Sequence, residues 1–253
     1  MCPVATIGNP KANDFHDGSV EAAVKLHPYL EEGFFLTRLN RFAALVEVAG
    51  REEMVHVANS GRLRELFVTG RRMLLAPAPG EHRKTRYDLA LVDLGHTLVS
   101  ADARLPNTLV AEALHAGDLP PYAEYPEVRR EVTCGDSRLD LMLEGPTGKC
   151  YLETKSVTLV EDNGMALFPD APTTRGVKHL HTLIQVAAGG HRAGAIFVVQ
   201  RSDARFLVPH DDADPEFGRA LREARAAGVE VRAYSCAVTP EEIRLAEPIP
   251  VNL

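Results

Sequence analysis

Asp140 stands inside the apolar run Leu139-Asp140-Leu141-Met142-Leu143, and Glu153 and Lys155 follow within Tyr151-Leu152-Glu153-Thr154-Lys155. Side chains on a strand repeat every second residue. The alternation therefore sets Asp140 on the face opposite Leu139 and Leu141, and sets Tyr151, Glu153 and Lys155 on one face of the following strand. If the two strands pair as a hairpin, two carboxylates and an ammonium group converge. Two carboxylates can hold a hard divalent cation, here magnesium or manganese, against substrate phosphates. A neighbouring lysine can orient a water and offset the charge of a transferring phosphoryl group. The chemistry expected is metal-dependent phosphodiester cleavage, with Asp140, Glu153 and Lys155 catalytic and the two carboxylates also binding metal. A strand ending in Glu-x-Lys occurs equally as an exposed ion-paired face, and the spacing alone does not separate the two readings.

The flanking residues must bring these groups together. Gly-Asp-Ser-Arg at 135–138 and Gly-Pro-Thr-Gly-Lys at 145–149 are turn-forming stretches on either side of the Asp140 segment, so a hairpin is expected. Pro172-Thr173-Thr174-Arg175 then opens a stretch whose Leu180, Leu183, Ile184 and Ala187 recur at helical spacing up to Gly189-Gly190. The continuous apolar run at 195–200 suits a strand buried on both faces. With a preceding helix over 105–116 and a first strand over 127–133, residues 104–253 read as an α/β unit around a central mixed sheet. Within it Glu131, or Glu112 on the helix, can complete a metal shell, and Gln200 can orient an attacking water. Asp170 is a further acidic candidate, though Pro169-Asp170-Ala171-Pro172 reads first as a turn. Thr173 can cap the helix, leaving Arg175, Lys178 and His179 in its first two turns, where free amides attract an anion such as a DNA phosphate. Each of these has a plain alternative in ion pairing or a solvated surface. His179 and His181, two apart, point away from each other on a helix and do not suit a zinc pair.

In this order of elements, Asp140 and Glu153-Thr154-Lys155 resemble the PD-(D/E)xK nuclease core. Over roughly residues 36–253 the chain is similar to the sugar fermentation stimulation protein family. The similarity runs through Arg38-Leu39-Asn40-Arg41-Phe42, the stretch from His56 to Leu63, Arg83-Lys84-Thr85, Pro106-Asn107, Ser137-Arg138-Leu139-Asp140, Phe168 to Thr173 with Arg175-Gly176 and Lys178-His179, and Val199-Gln200-Arg201. The resemblance implies a DNA-binding protein with an OB-like β-barrel at the N-terminus, joined to a nuclease-like C-terminal domain. It also implies a role in regulating sugar, particularly maltose, metabolism. Between Glu153 and Lys155 the family pattern leads us to expect a small branched apolar residue; Thr154 is expected to point away from the site. Residues 1–30 carry none of these motifs and read as an N-terminal extension.

Residues 31–103 have the short, partly alternating segments of a small β-barrel, at 34–36, 42–48, 54–57, 73–76, 85–92 and 97–100, broken by glycines and by Pro77 to Gly80. The chain as a whole carries 28 basic and 35 acidic residues, a net charge of -7, which argues against an indiscriminate polyanion binder. The distribution is uneven. From Arg38 to Arg86 ten basic residues face five acidic ones, whereas from Leu105 onward fifteen face twenty-two. A basic half holding nucleic acid beside an acidic half holding a cation accounts for this, as do ordinary solvated charges. Arg38, Arg41, Arg62, Arg83 and Lys84 are the phosphate-contact candidates. Asn59, in the turn Asn59-Ser60-Gly61-Arg62, either builds the bend or contacts a phosphate or base edge. Tryptophan is absent and most of Phe35, Phe42, Phe67 and Tyr87 read as core, so phosphate contacts are expected to outweigh base stacking.

Cys2, Cys134, Cys150 and Cys236 are widely spaced, suggesting neither a zinc site nor a disulfide framework. No apolar run approaches the ~20 residues that cross a bilayer, and no secretory signal is legible at the N-terminus. A cytoplasmic protein with DNA as partner and no membrane contact is expected. The alternatives are a DNA-binding regulator on a nuclease scaffold with idle carboxylates, and a hydrolase of small phosphate esters indifferent to Arg38, Arg41 and Arg62.

Overall fold

The computed structural model describes residues 22–80 and 82–253. A short strand β1 (Ala23–Lys25) precedes β2 (Glu31–Asn40), β3 (Ala43–Val48), β4 (Arg51–His56), β5 (Arg72–Pro77), β6 (Tyr87–Asp93) and β7 (Leu98–Ser100). Strand β2 pairs with β3 along one edge and with β5 along the other, and register shifts after Phe35 and Arg38 coil it so that it can serve both. Gly33 permits the tight approach within the barrel, since a Cβ there would lie 2.6 Å from Val46 Cγ1. A parallel pairing of β4 with β6 joins Val55 to Tyr87 and closes the ring β2-β3-β4-β6-β5, with β7 added to β6. This is the OB-like barrel expected. Its interior holds Phe35, Val46, Val55, Met73, Leu75 and Leu89, the inward positions of alternating strands.

The chain continues through α1 (Leu105–Ala116), β8 (Glu127–Cys134), β9 (Ser137–Gly145), β10 (Gly148–Val157), β11 (Met165–Phe168), α2 (Thr174–Ala188), β12 (Arg192–Val199), β13 (Phe206–Pro209), α3 (Pro215–Ala226), β14 (Glu230–Val238) and β15 (Glu242–Ile249). A seven-stranded mixed sheet runs in the order β1-β15-β14-β12-β10-β9-β8. Strands β10, β12 and β14 are parallel, and the others pair antiparallel. Helix α1 covers one face with Leu109 and Val110 against Leu141, Leu152 and Ile196. Helices α2 and α3 cover the other with Leu180, Leu183, Phe217 and Leu221 against Phe197 and Val199. Strand β12 is buried along almost its whole length, as a central parallel strand must be. Residues 23–25, within the stretch read as an extension, supply the edge strand against β15, so the second sheet draws on the chain on both sides of the barrel.

Strand β9 departs from simple alternation. Leu139 packs on the α2 side and Leu141 on the α1 side, contrary to the expectation that they share a face. The ladder between β9 and β10 stops at Leu141 opposite Leu152, and across β9 the backbone of Glu131 has a positive φ of 56°. The sheet is therefore kinked at Asp140, which lets that side chain turn to β10 in place of another ladder rung.

The two domains meet along a seam. The Ser100 amide donates to the Gln200 carbonyl at 3.1 Å, and the Leu63 amide donates to Asp170 Oδ2 at 3.0 Å. Gly61 is required beside Asp170, because a Cβ there would lie 2.6 Å from Oδ2.

Candidate functional site

Glu153 lies on β10 with only 3% of its surface exposed. Its Oε1 accepts from Lys155 Nζ at 2.6 Å and from His179 Nδ1, while Oε2 is buried with no hydrogen-bond partner. Burial alone raises the pKa of this carboxyl, but the Lys155 charge and the bonds from His179 and Lys155 outweigh it and hold the group below the ordinary carboxylate range. A group depressed in the folded state adds stability above its unfolded pKa of about 4.3 and loses it as pH falls through the lower folded value. Urea midpoints are thus expected to fall on acidification below about pH 4.3, and Glu153→Gln to flatten that limb. An unchanged acid limb in the variant would show that other carboxylates set it.

Asp140 is placed by Thr154. Its Oδ2 accepts from the Thr154 amide and hydroxyl, both at 2.7 Å, which leaves Oδ1 for another ligand. Contrary to the expectation that it points away from the site, Thr154 fixes the first carboxylate, because the kink in β9 brings Asp140 onto the β10 backbone. Thr154→Val, which keeps the shape and removes the hydroxyl, is expected to cost about 1 kcal/mol. Equilibrium urea unfolding measures this, and an unchanged midpoint would mean that the amide alone suffices.

Asp140, Glu153 and Lys155 open into a cleft of about 830 Å3 between the domains. Five basic side chains line it: Arg41 from the barrel, Arg104 before α1, Arg130 on β8, Lys155, and Arg175 in the first turn of α2. Arg104 and Arg130 have no part in the sequence reading. Arg104 is anchored on Asp102 at 2.6 Å, and Arg130 on Asn107 Oδ1 at 2.9 Å and Thr108 Oγ1 at 3.1 Å. Nothing local in the sequence singles them out, since only the packing of α1 beside β8 brings them to the cleft.

Several expected contacts lie elsewhere. Arg38 donates to the carbonyls of Asn40, Arg62, Arg41 and Asn59 at 3.1, 2.5, 2.7 and 3.3 Å, so it fastens the loop and is not free for a phosphate. Asn59 borders the cleft but is buried, accepting from the Gly61 amide at 2.8 Å and donating to the Ala101 carbonyl at 3.0 Å, so it builds the turn. Arg83 is ion-paired with Asp88 and lines a separate pocket with Pro77 and Tyr87, and Lys84 is exposed beside it. Arg62 is exposed on the loop that Arg38 holds. Lys178 donates to the Asp136 carbonyl at 2.7 Å.

His179 is 4% exposed and belongs to the Glu153 pair, not to a DNA surface. The signal was present: Gly176, His179, Leu180 and Leu183 follow the spacing of a buried helix face. Glu131 lines the same cleft, its carboxylate paired with Arg138 at 3.3 Å, Glu112 is exposed on α1, and no group of three His, Cys, Asp or Glu side chains able to hold a metal gathers among the described residues. Gln200 is fully buried just beyond the end of β12, its amide nitrogen donating to Ser156 Oγ at 2.9 Å while its Oε1 has no hydrogen-bond partner. Phe42 is 51% exposed next to Arg41, whereas Phe35 and Tyr87 are core. No helix among the described residues is long and apolar enough to cross a membrane.

Residues 104–242 match the family model described as the sugar fermentation stimulation protein RE domain, and residues 36–101 match the SfsA N-terminal OB domain. The chain is 43% identical over 238 residues to a sugar fermentation stimulation protein homolog of Desulforamulus reducens, covering 94% of this chain and 98% of that one. It is 45% identical over 232 residues to the homolog of Moorella thermoacetica, covering 91% and 100%. A solved structure described as Pyrococcus furiosus SfsA in complex with Ca2+ matches with a TM-score of 0.84 and 31% identity, over 93% of this chain and 99% of that one.

Proposed function

Because the chain belongs to the sugar fermentation stimulation protein family, we propose that it binds DNA in the interdomain cleft and cleaves phosphodiesters there with a divalent metal. The observation that carries this is Glu153 Oε2, a buried carboxylate oxygen without a partner, in a cleft that also holds Asp140 and Lys155. An orphaned anionic oxygen is costly unless a cation completes it. The donor set fits magnesium or manganese, hard ions that commonly take one or two carboxylates and fill the remaining positions with water and phosphate oxygens. The archaeal relative is in complex with Ca2+, another oxygen-seeking ion.

When bound, the cation supplies Lewis-acid polarisation of the phosphodiester and a water of lowered pKa. The rest falls to the chain. Glu153 and Asp140 would hold the cation, and Thr154 fixes the Asp140 carboxylate by two hydrogen bonds to Oδ2. Lys155 offsets the Glu153 charge and supplies an ammonium for charge developing on the transferring group. Arg41 and Arg175 contact DNA phosphates at the two walls of the cleft.

A second reading rests on the same pair. Lys155 and His179 already donate to Glu153, and Thr154 already serves Asp140, as in a scaffold whose carboxylates are spent on the protein's own donors and turn nothing over. Wild-type, Asp140→Ala, Glu153→Gln and Lys155→Ala proteins incubated with labelled single- and double-stranded DNA, in magnesium, manganese or EDTA, separate the two. Metal-dependent cleavage lost in all three variants is the expected result. Retention without cleavage in every condition, unchanged in the variants, would leave a DNA-binding regulator. Absence of retention would point to a small phosphate ester as substrate.

A further inference from the structure

We propose that His179, hydrogen-bonded between Glu153 and Arg175, is a positioning residue that directs the Arg175 guanidinium at a phosphate in the cleft. The inference rests on the DNA-binding reading above and deepens it. Both neighbours of the ring demand the same tautomer. The Glu153 carboxylate only accepts, so Nδ1 must carry the hydrogen; Arg175 Nε–H only donates, so Nε2, at 3.4 Å, must be the acceptor. The ring is almost wholly buried, and so cannot exchange either partner for water.

Arg175 is otherwise exposed, in the first turn of α2, and its Nη groups meet no protein acceptor among the described residues. With Nε taken by His179, the two Nη nitrogens remain as a fork of the geometry that grips a phosphate through two oxygens. Thr173 Oγ1 caps the Gly176 amide, so the start of the helix is rigid around it. The Glu153 charge polarises the imidazole and strengthens Nε2 as an acceptor, in the way carboxylate–histidine pairs orient metal sites. One bridge thus ties the Glu153 carboxylate to a phosphate fork on the opposite element.

Two near-isosteres divide the bridge. Asparagine keeps a donor near the position of Nδ1 and loses the acceptor for Arg175; glutamine keeps an acceptor near Nε2 and loses the donor for Glu153. Retention of labelled DNA in EDTA is expected to weaken about tenfold in Arg175→Gln and severalfold in His179→Asn. The Arg175→Gln/His179→Asn double variant should be no weaker than Arg175→Gln alone, and His179→Gln should stay near wild type. Additive losses in the double variant, or equal losses in His179→Asn and His179→Gln, would overturn the proposal. Nitrogen-15 histidine spectra of the metal-free protein decide the bridge without DNA: a protonated Nδ1, with an Nε2 signal that shifts in Arg175→Gln, supports it, and a protonated Nε2 refutes it. If wild type retained no DNA, the functional reading would fail while these spectra still tested the bridge.

Discussion

Glu153→Ala is expected to abolish metal-dependent cleavage, a loss of about 10^3-fold or more, and to destabilise the fold by about 3–5 kcal/mol. Both effects come from one side chain. The variant removes the carboxylate proposed to hold the cation, and it leaves the Lys155 ammonium and the His179 ring in a pocket where their side chains are only 12% and 5% exposed. A buried charge whose partner has been removed is among the most damaging point changes a protein sustains. Urea unfolding followed by circular dichroism measures the stability, and cleavage of labelled DNA measures the chemistry. Glu153→Gln keeps the volume and can still accept from Lys155, so it should lose the chemistry as fully at a smaller cost in stability. Wild-type stability in Glu153→Ala would mean that Lys155 and His179 do not depend on this carboxylate.

Arg38→Ala carries the second large effect, and its direction separates a structural role from a DNA contact. The guanidinium joins four carbonyls and lies over the Phe67 ring at 5.1 Å, so its loss frees the loop that carries Asn59, Gly61 and Arg62. A loss of about 2–4 kcal/mol is expected in the absence of any ligand. Lysine, a point donor without the planar fork, should rescue little. A lost phosphate contact would instead leave stability unchanged and lower the slope of log affinity against log salt by about 1. Arg41→Ala, at the cleft wall, is the variant from which that second behaviour is expected.

The elements that carry the site were legible because each is strongly periodic. The β9–β10 hairpin, α2 and the buried β12 announce themselves through turn residues and apolar spacing, and the barrel through short strands and glycines. What remained hidden depends on tertiary placement. The kink at Asp140 is a property of three strands together, so simple alternation mis-assigned Leu139 and Leu141 to one face and turned Thr154 away. Arginine composition marked the barrel as basic, yet could not tell Arg38, spent on carbonyls, from Arg41, which faces the cleft. His179 was misread for a different reason: attention to the anion-attracting helix start obscured a spacing that already put it among the buried positions. The strands β11, β13, β14 and β15 and helix α3 had no chemistry to draw notice, though β14 and β15 complete the sheet that holds β10 in place, and β11 and β13 pair apart from it.

The pairing of β1 with β15 has a bearing on how the molecule is made. Val24 lies opposite Ile243, and Lys25 is ion-paired with Glu242, contacts spanning nearly the whole described chain. A ribosome delivers Ile243 long after Val24, so β1 must wait, unpaired, while the barrel folds beside it. Contacts of such sequence separation slow folding and leave edges bare in the interval. The seven-stranded sheet therefore closes only once β15 has emerged, and a fragment beginning at α1 would expose the open edge of β15 to neighbouring chains, an invitation to aggregate that pairing with β1 avoids.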